Sequence, residues 1–333
     1  MNSQRNGLVK KMARIPMIFW GILAASILFG SLQDKFFLWM NVENILRNTA
    51  ILLIVSIGMT MAILSGKIDL SVGGTMTFAG MASAVFLKQF ADPAASHVAA
   101  ALLLAVVAGA AVGAVNGYFI GVKKYDNWLI SFATMSITFG LAQVVTGGNI
   151  ISGFNKSVRF LGDGKIGAVS VLLIVATVLV GVMWYALRNT RFGMHIYAVG
   201  DSEQCAELSG VWVGKVNFQI YLLSGIFAGI SGFLLLSKTN SMGPIAAEGY
   251  EFNAIAATIV GGTSFDGGKG GLGGTIFGAL FIAVVKNGLQ LIGFSVYLQQ
   301  TCVGVCILAI ILIDVLGSHV KRKKRMRRQY KDA

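Results

Sequence analysis

The stretch from Gly261 to Thr275 reads GGTSFDGGKGGLGGT and is more than half glycine. Within it, Gly268-Lys269-Gly270-Gly271-Leu272-Gly273 fits G-x-G-x-x-G, whose backbone amides cradle a dinucleotide phosphate. Phosphate chemistry needs more than glycine. A Walker A loop requires G-x-x-x-x-G-K followed by Ser or Thr. Here Thr263 stands at the first glycine position and Gly270 follows Lys269. A Rossmann turn needs a strand before it and an acid about 20 residues on. The flanks here are a short alanine-rich helix and a long apolar one, and Gly293 holds the acid's place. The loop is better read as a tight turn between packed helices, its glycines allowing close approach and positive φ. Gly261, Gly262, Gly267, Gly268 and Lys269 are then candidate gate residues.

Other chemistry is sparse. His97, His195 and His319 form no triad or metal spacing, and no carboxylate pair shares an obvious pocket. Cys205, Cys302 and Cys306 have no partner cluster and read as small hydrophobes. No catalytic set, metal site or cofactor is expected in this chain. What remains is a series of polar residues inside apolar runs: Asn116, Gln143, Asn253, Lys286, Asn287, Gln290, Gln299 and Gln300. An amide in hydrocarbon either bonds a neighbouring helix or lines a path. With Tyr297, such amides suit a hydroxyl-rich solute, whereas an ion pump calls for a carboxylate at mid-depth. None lies there, Asp314 being close to the end of the last apolar run.

The elements that position these groups are membrane spans. The chain has 333 residues, 55% hydrophobic and 12% charged. That is half the charge of a soluble domain. A span needs about 20 apolar residues. Breaks at charges and Gly/Pro clusters give ten candidates, near 15–31, 48–66, 71–90, 97–121, 127–147, 167–187, 216–237, 252–263, 272–292 and 295–317. An all-α transmembrane bundle follows. The eighth candidate is too short for bare lipid, so a broken or re-entrant element is expected over 252–275. The first has a bulky Phe29 where signal cleavage wants a small residue, so it reads as retained. The division is a basic cytoplasmic N-terminus (1–14), a transmembrane domain (15–317) and a basic cytoplasmic tail (318–333). The net charge of +13 is concentrated at both termini, which is a positive-inside signal. No nucleic acid partner is implied.

Two connections on the inner side carry local signals. In GMTMAILSGKIDLSVGG (58–74), Gly66 suits a left-handed helix end and Asp69 or Ser71 can cap the next helix. The turn is either a capped corner or a gate. In the second connection, Asp201 or Ser202 caps a short helix through Glu203, Gln204, Cys205, Ala206, Glu207, Leu208 and Ser209, and Gly210 stops it. Glu203 and Glu207 share one face. Such a helix is either a solvated surface or a docking element.

These stretches, with RFGMHIYAVG (191–200), EFNAIAATIVGGTSFDGGKGGLGGT (251–275), KNGLQLIG (286–293) and YLQQ (297–300), carry a resemblance. From about Phe36 to Asp314 the chain resembles permease subunits of bacterial ATP-binding-cassette sugar importers, the ribose/xylose/galactose type that includes autoinducer-2 permeases. The resemblance implies an all-helical permease that works as a dimer of identical or paralogous copies. It also implies a cytoplasmic ATP-binding subunit and an extracytoplasmic solute-binding protein. Glu203 to Gly210 then looks like the helix that docks on the ATPase, and Asp69, Ser71 and Gly73 occupy the family's signature turn. This chain departs from the pattern at three places. Lys67 stands where a small residue is usual, Cys205 where alanine is usual, and Glu207 where a basic or polar residue is common. The implied solute is a monosaccharide or sugar-like molecule. The alternatives are autoinducer-2, a nucleoside, a branched-chain amino acid, or an ion-coupled secondary transporter.

Overall fold

A computed structural model describes residues 17–305, except 296, together with 308. The basic termini (1–14 and 318–333), Cys306 and much of the 295–317 candidate lie outside the described residues. Twelve named helices run in order. They are α1 (Met17–Leu32), α2 (Trp39–Leu64), α3 (Val72–Leu87) and α4 (Ala95–Asn116), the last continued by a π-helical turn (Gly117–Val122). Then come α5 (Asn127–Thr146), α6 (Lys156–Asp163), α7 (Val171–Asn189) and α8 (Arg191–Asp201). Last are α9 (Glu203–Leu208), α10 (Val213–Thr239), α11 (Tyr250–Val260) and α12 (Leu272–Leu291). The few strand residues are two-residue pairs. Ile151–Ser152 lies antiparallel to Ser241–Met242, and Lys165–Ile166 turns back on Val169–Ser170.

Six helices are long and apolar enough to cross a membrane: α2, α4 with its π turn, α5, α7, α10 and α12. Residues 18–32 and α3 are apolar but shorter. The fold is an all-helical bundle, and the ten candidates resolve into these six, two shorter helices, the short α11 and a last one only partly described. The 71–90 candidate shrinks to 16 residues, losing Ser71 to the preceding turn and Lys88 to Phe90 to the turn that follows.

Burial sorts the long helices. The apolar window of α2 is 89% buried and that of α10 78%, whereas α5 has 22%, its large side chains such as Val144 facing outward. Lipid offers no hydrophobic drive between helices, so close backbone approach must hold them. Gly109, Gly113, Gly117 and Gly121 repeat every fourth residue and lie against α10 at Gly225, Tyr221, Phe218 and Gly214. A methyl at Gly113 would strike the Tyr221 carbonyl. Hydroxyls inside the helices bond back to their own backbone. Ser56 does so to Leu52 O at 2.6 Å, and Thr49 to Ile45 O at 2.8 Å.

The expected broken element is present as α11, which has 11 residues. At about 1.5 Å per residue it covers about 16 Å, half of the roughly 30 Å of hydrocarbon. The irregular backbone before it must be shielded by protein. Ala247 N there donates to the buried Thr77 hydroxyl at 3.2 Å.

Candidate functional site

Three chain reversals meet at one end of the bundle. The first follows α2. Gly66 adopts φ +75°, and Lys67 N bonds Ala62 O at 2.9 Å. This closes the helix with a Schellman end. The buried Asp69 then organises the start of α3. Its Oδ1 accepts from Ser71 N at 3.0 Å and Ser71 Oγ at 2.6 Å, and its Oδ2 accepts from Ser224 Oγ at 2.7 Å. Ser71 is the capping position, yet its side chain makes no cap bond, so Asp69 does the local work. Gly73, one turn on, lies against the buried Glu251 carboxylate and Ala247 O, leaving no room for a side chain.

The second reversal is the short helix α9. Ser202 Oγ accepts from Cys205 N at 3.2 Å, and Gly210 ends the helix at φ +82°. Serine is a preferred cap because its oxygen satisfies an amide that the helix leaves free. Ala206 is buried, whereas Gln204, Cys205, Glu207, Leu208, Ser209 and Gly210 are exposed; Leu208 reaches 90% exposure. The two glutamates tie the helix to separate turns. Glu203 pairs with Lys67 at 2.8 Å and Glu207 with Lys124 at 2.8 Å. Glu207 raises the Lys124 ammonium above the usual lysine range, through its hydrogen bond first and its charge second.

The third reversal is the glycine-rich loop. Gly262, Gly267, Gly268, Gly270 and Gly271 all have φ between +69° and +153°. Gly261 has none of this strain; it packs against Gly274 backbone to backbone. Gly268 N donates to Leu64 O at 2.9 Å, and Tyr197 donates to Gly270 O at 2.9 Å, locking the loop to α2 and α8. Some of the loop's amides are consumed internally. Ser264 N bonds Lys269 O at 2.9 Å, Gly267 N bonds Ser264 O at 3.1 Å, and Gly271 N bonds Thr263 Oγ1 at 3.3 Å. A Rossmann cradle needs a strand before its glycines, and helix α11 stands there instead, so the nucleotide reading fails on structure as well as on sequence. Lys269 is exposed at the tip. Beside the loop is a mainly apolar cleft of about 660 Å³ between Trp184, Leu187, Met194 and Gly271.

The other polar candidates separate. Asn116 is wholly buried; it donates to Ser71 Oγ at 2.8 Å and accepts from Thr134 at 2.7 Å, so it joins α4 to α3 and α5. Asn287 exchanges two 2.9 Å bonds with Asn41, joining α12 to α2. Gln143, Tyr297 and Gln300 are exposed. Asn253, Lys286, Asn287 and Gln290 line one cavity of about 150 Å³, together with Asn48 and Gln299. This cavity lies toward the opposite end from α9, near the ion cluster of Arg47, Glu43, Asp163 and Lys165. Asn48 carried no sequence signal, because it lies at the edge of an apolar run rather than inside one. Among the described residues no group of three His, Cys, Asp or Glu side chains could hold a metal.

A helical membrane bundle with a polar cavity at one end and a capped, exposed helix at the other has the form of a transport permease. The chain belongs to the family described as the permease component of branched-chain amino acid transport systems, which it matches over residues 41–312. It is 35% identical to the ribose import permease protein of Escherichia coli K12 over 297 residues, 88% of this chain and 91% of that one. It is 36% identical to the ribose import permease protein of Bacillus subtilis over 298 residues, 89% and 91%. It is 32% identical to the D-allose transport system permease protein of E. coli K12 over 310 residues, 90% and 94%. No solved structure matches the chain. The family consists of transport permease subunits, and the chain is an integral membrane protein.

Proposed function

We propose that this chain is the membrane permease subunit of an ATP-binding-cassette importer that takes up a monosaccharide or sugar-like solute across the inner membrane. The observation that carries the reading is the likeness, over about nine-tenths of the chain, to permeases named for ribose and allose import. The amino-acid solute of the family's description has no such support among these relatives. In this reading a separate cytoplasmic subunit binds and hydrolyses ATP, an extracytoplasmic binding protein delivers the solute, and a second permease copy completes the path. This chain supplies no catalytic set and no cofactor.

The α9 end is assigned to the cytoplasm, with both termini. Lys67, Lys123, Lys124, Arg188, Arg191, Lys215 and Lys269 lie at that end, but about as many basic residues lie at the other, so the assignment rests on the basic runs at the two termini. The exposed face of α9 around Leu208 is then the ATPase contact. Its ion pairs to Lys67 and Lys124 carry the ATPase's movement to the α2–α3 and π-turn–α5 corners.

The test is uptake by proteoliposomes holding the permease with its ATPase and binding protein. ATP-dependent accumulation of a labelled sugar is expected. Uptake that persists without the ATPase, driven by an ion gradient, would overturn the reading.

A further inference from the structure

The cavity between α2, α11 and α12 has an unusual donor set. Asn48 and Asn287 are already engaged, the first by Lys238 Nζ and the second by Asn41. Gln299 donates to Phe294 O at 3.0 Å, which leaves its carbonyl oxygen for the cavity. Asn253 is 6% exposed and lines the cavity, and its amide has no hydrogen-bond partner among the described residues. Gln290 stands at the open side. Two polar groups remain, Tyr250 and Lys286; the second is half-buried, and its ammonium meets neither a carboxylate nor a hydrogen-bond acceptor among the described residues.

An ammonium only donates, and burial without a counter-charge is unfavourable. The nearest carboxylates do not answer it. Glu251 is buried against Gly73 and receives Gly249 N, facing away from the cavity lining. Glu43 and Asp163 are shared among Arg47, Arg159 and Lys165, and Lys238 beside Asn48 has no carboxylate within ion-pair distance among the described residues. The mouth therefore carries surplus positive charge, which attracts anions.

We propose that this cavity is a subsite for a polyhydroxylated anion, a sugar-like solute whose acidic group pairs with Lys286. Asn253, Gln290 and the Gln299 carbonyl take its hydroxyls, since amides both donate and accept. A neutral sugar leaves the Lys286 charge unanswered. The proposal rests on the sugar-permease reading and narrows its solute class. The acidic group is a carboxylate or a phosphate ester.

The test uses the full chain in lipid nanodiscs, with melting followed against D-glucuronate, D-ribose 5-phosphate, neutral D-glucose and acetate. Stabilisation by glucuronate or by the phosphate ester is expected, and which one acts names the acidic group. Lys286→Gln should weaken it about tenfold or more, the usual scale of a charge-assisted hydrogen bond, and Lys286→Arg should keep most of it. Gln290→Glu, isosteric and at the open side, should abolish it without disturbing packing. The proposal is overturned if glucose binds as tightly as the acids, if acetate alone matches them, if nothing binds, or if Gln290→Glu binds like the parent. The reading as an ATP-driven permease is tested separately by the ATP dependence of uptake, so the two fail independently.

Discussion

Gly200, at the end of α8, is where the three reversals press together. A Cβ placed there would strike Leu64 O and stand 2.6 Å from Gly268 N. These two atoms are themselves hydrogen-bonded at 2.9 Å, so the methyl would enter the bond that joins α2 to the glycine-rich loop. Both walls are backbone, and neither can rotate aside. Gly200→Ala must therefore push α8 away or break that bond. Overpacking costs about 1–3 kcal/mol, and the lost hydrogen bond about 0.5–1.5 kcal/mol. Alanine's better helix propensity returns up to about 1 kcal/mol. The net cost is about 1–3 kcal/mol; with about 2.1 cal/mol/K of unfolding entropy per residue over the 333 residues, Tm falls by about 1–4 °C. Gly181→Ala, on α7, is the matched control, because its Cβ meets nothing within 4 Å. It should be neutral or slightly stabilising. Because α8 leads directly into α9, Gly200→Ala should also lower sugar uptake per ATP hydrolysed in proteoliposomes. If Gly200→Ala melts with Gly181→Ala and keeps full uptake, the convergence of reversals is not the junction described above.

Lys67 and Glu203 form a partly exposed ion pair at 2.8 Å. Such a pair is worth up to about 1 kcal/mol in stability. Lys67→Glu or Glu203→Lys should thus barely move Tm yet lower coupled uptake, and the double swap should restore uptake more than either single change. Leu208→Asp, at a residue 90% exposed, should leave Tm unchanged while abolishing co-purification with the ATPase. The hydrogen bond from Arg47, followed by the charges of Arg47 and Arg159, holds the Asp163 carboxyl below its ordinary range. A depressed carboxyl stabilises fully above its unfolded value, about 3.9, and the contribution is lost as pH falls through the lower folded value. Melting measured between about pH 6 and 3 should therefore fall more steeply at the acid end in the parent than in Asp163→Asn.

What the sequence revealed followed from local chemistry. Gly66 and Gly210 were legible as left-handed helix ends because only their immediate neighbours decide them. Ser202 was one of two possible caps, and the short reach of its hydroxyl to Cys205 N resolves the choice. The crowded glycines of 261–274 announced close approach but not the neighbours they approach, since Leu64 and Gly200 lie far away in sequence. The same distance hid the fate of the amides. Asn116 and Asn253 look alike in an apolar run, yet one is saturated by Ser71 and Thr134 and the other faces a cavity. Hydropathy weighs each residue singly, while satisfaction of a buried amide is a property of pairs. The span count suffered for a related reason. Apolar length marks helices long enough to cross, whether lipid-facing or buried, but α3 and α11 fall short of it. Sheltered by protein, they need not reach across the bilayer.

Two of the departures from the family pattern, Lys67 and Glu207, make sense only when the partners are seen. Each would be an isolated charge at a membrane surface. Each is instead one half of an ion pair to the α9 face, Lys67 with Glu203 and Glu207 with Lys124. Together the pairs fix a helix of 6 residues to two corners of the bundle. A helix that short is not stable alone. The pairs hold position at little gain in stability, since water screens exposed charges and two long side chains lose freedom in meeting. Their value lies in direction. On the proposed function, a push on Leu208 would pass through Glu203 to the corner where Gly66 and Gly267 meet, and through Glu207 to the head of α5. A tie to one corner alone would leave the helix free to pivot, whereas two pairs four residues apart bias it toward one orientation.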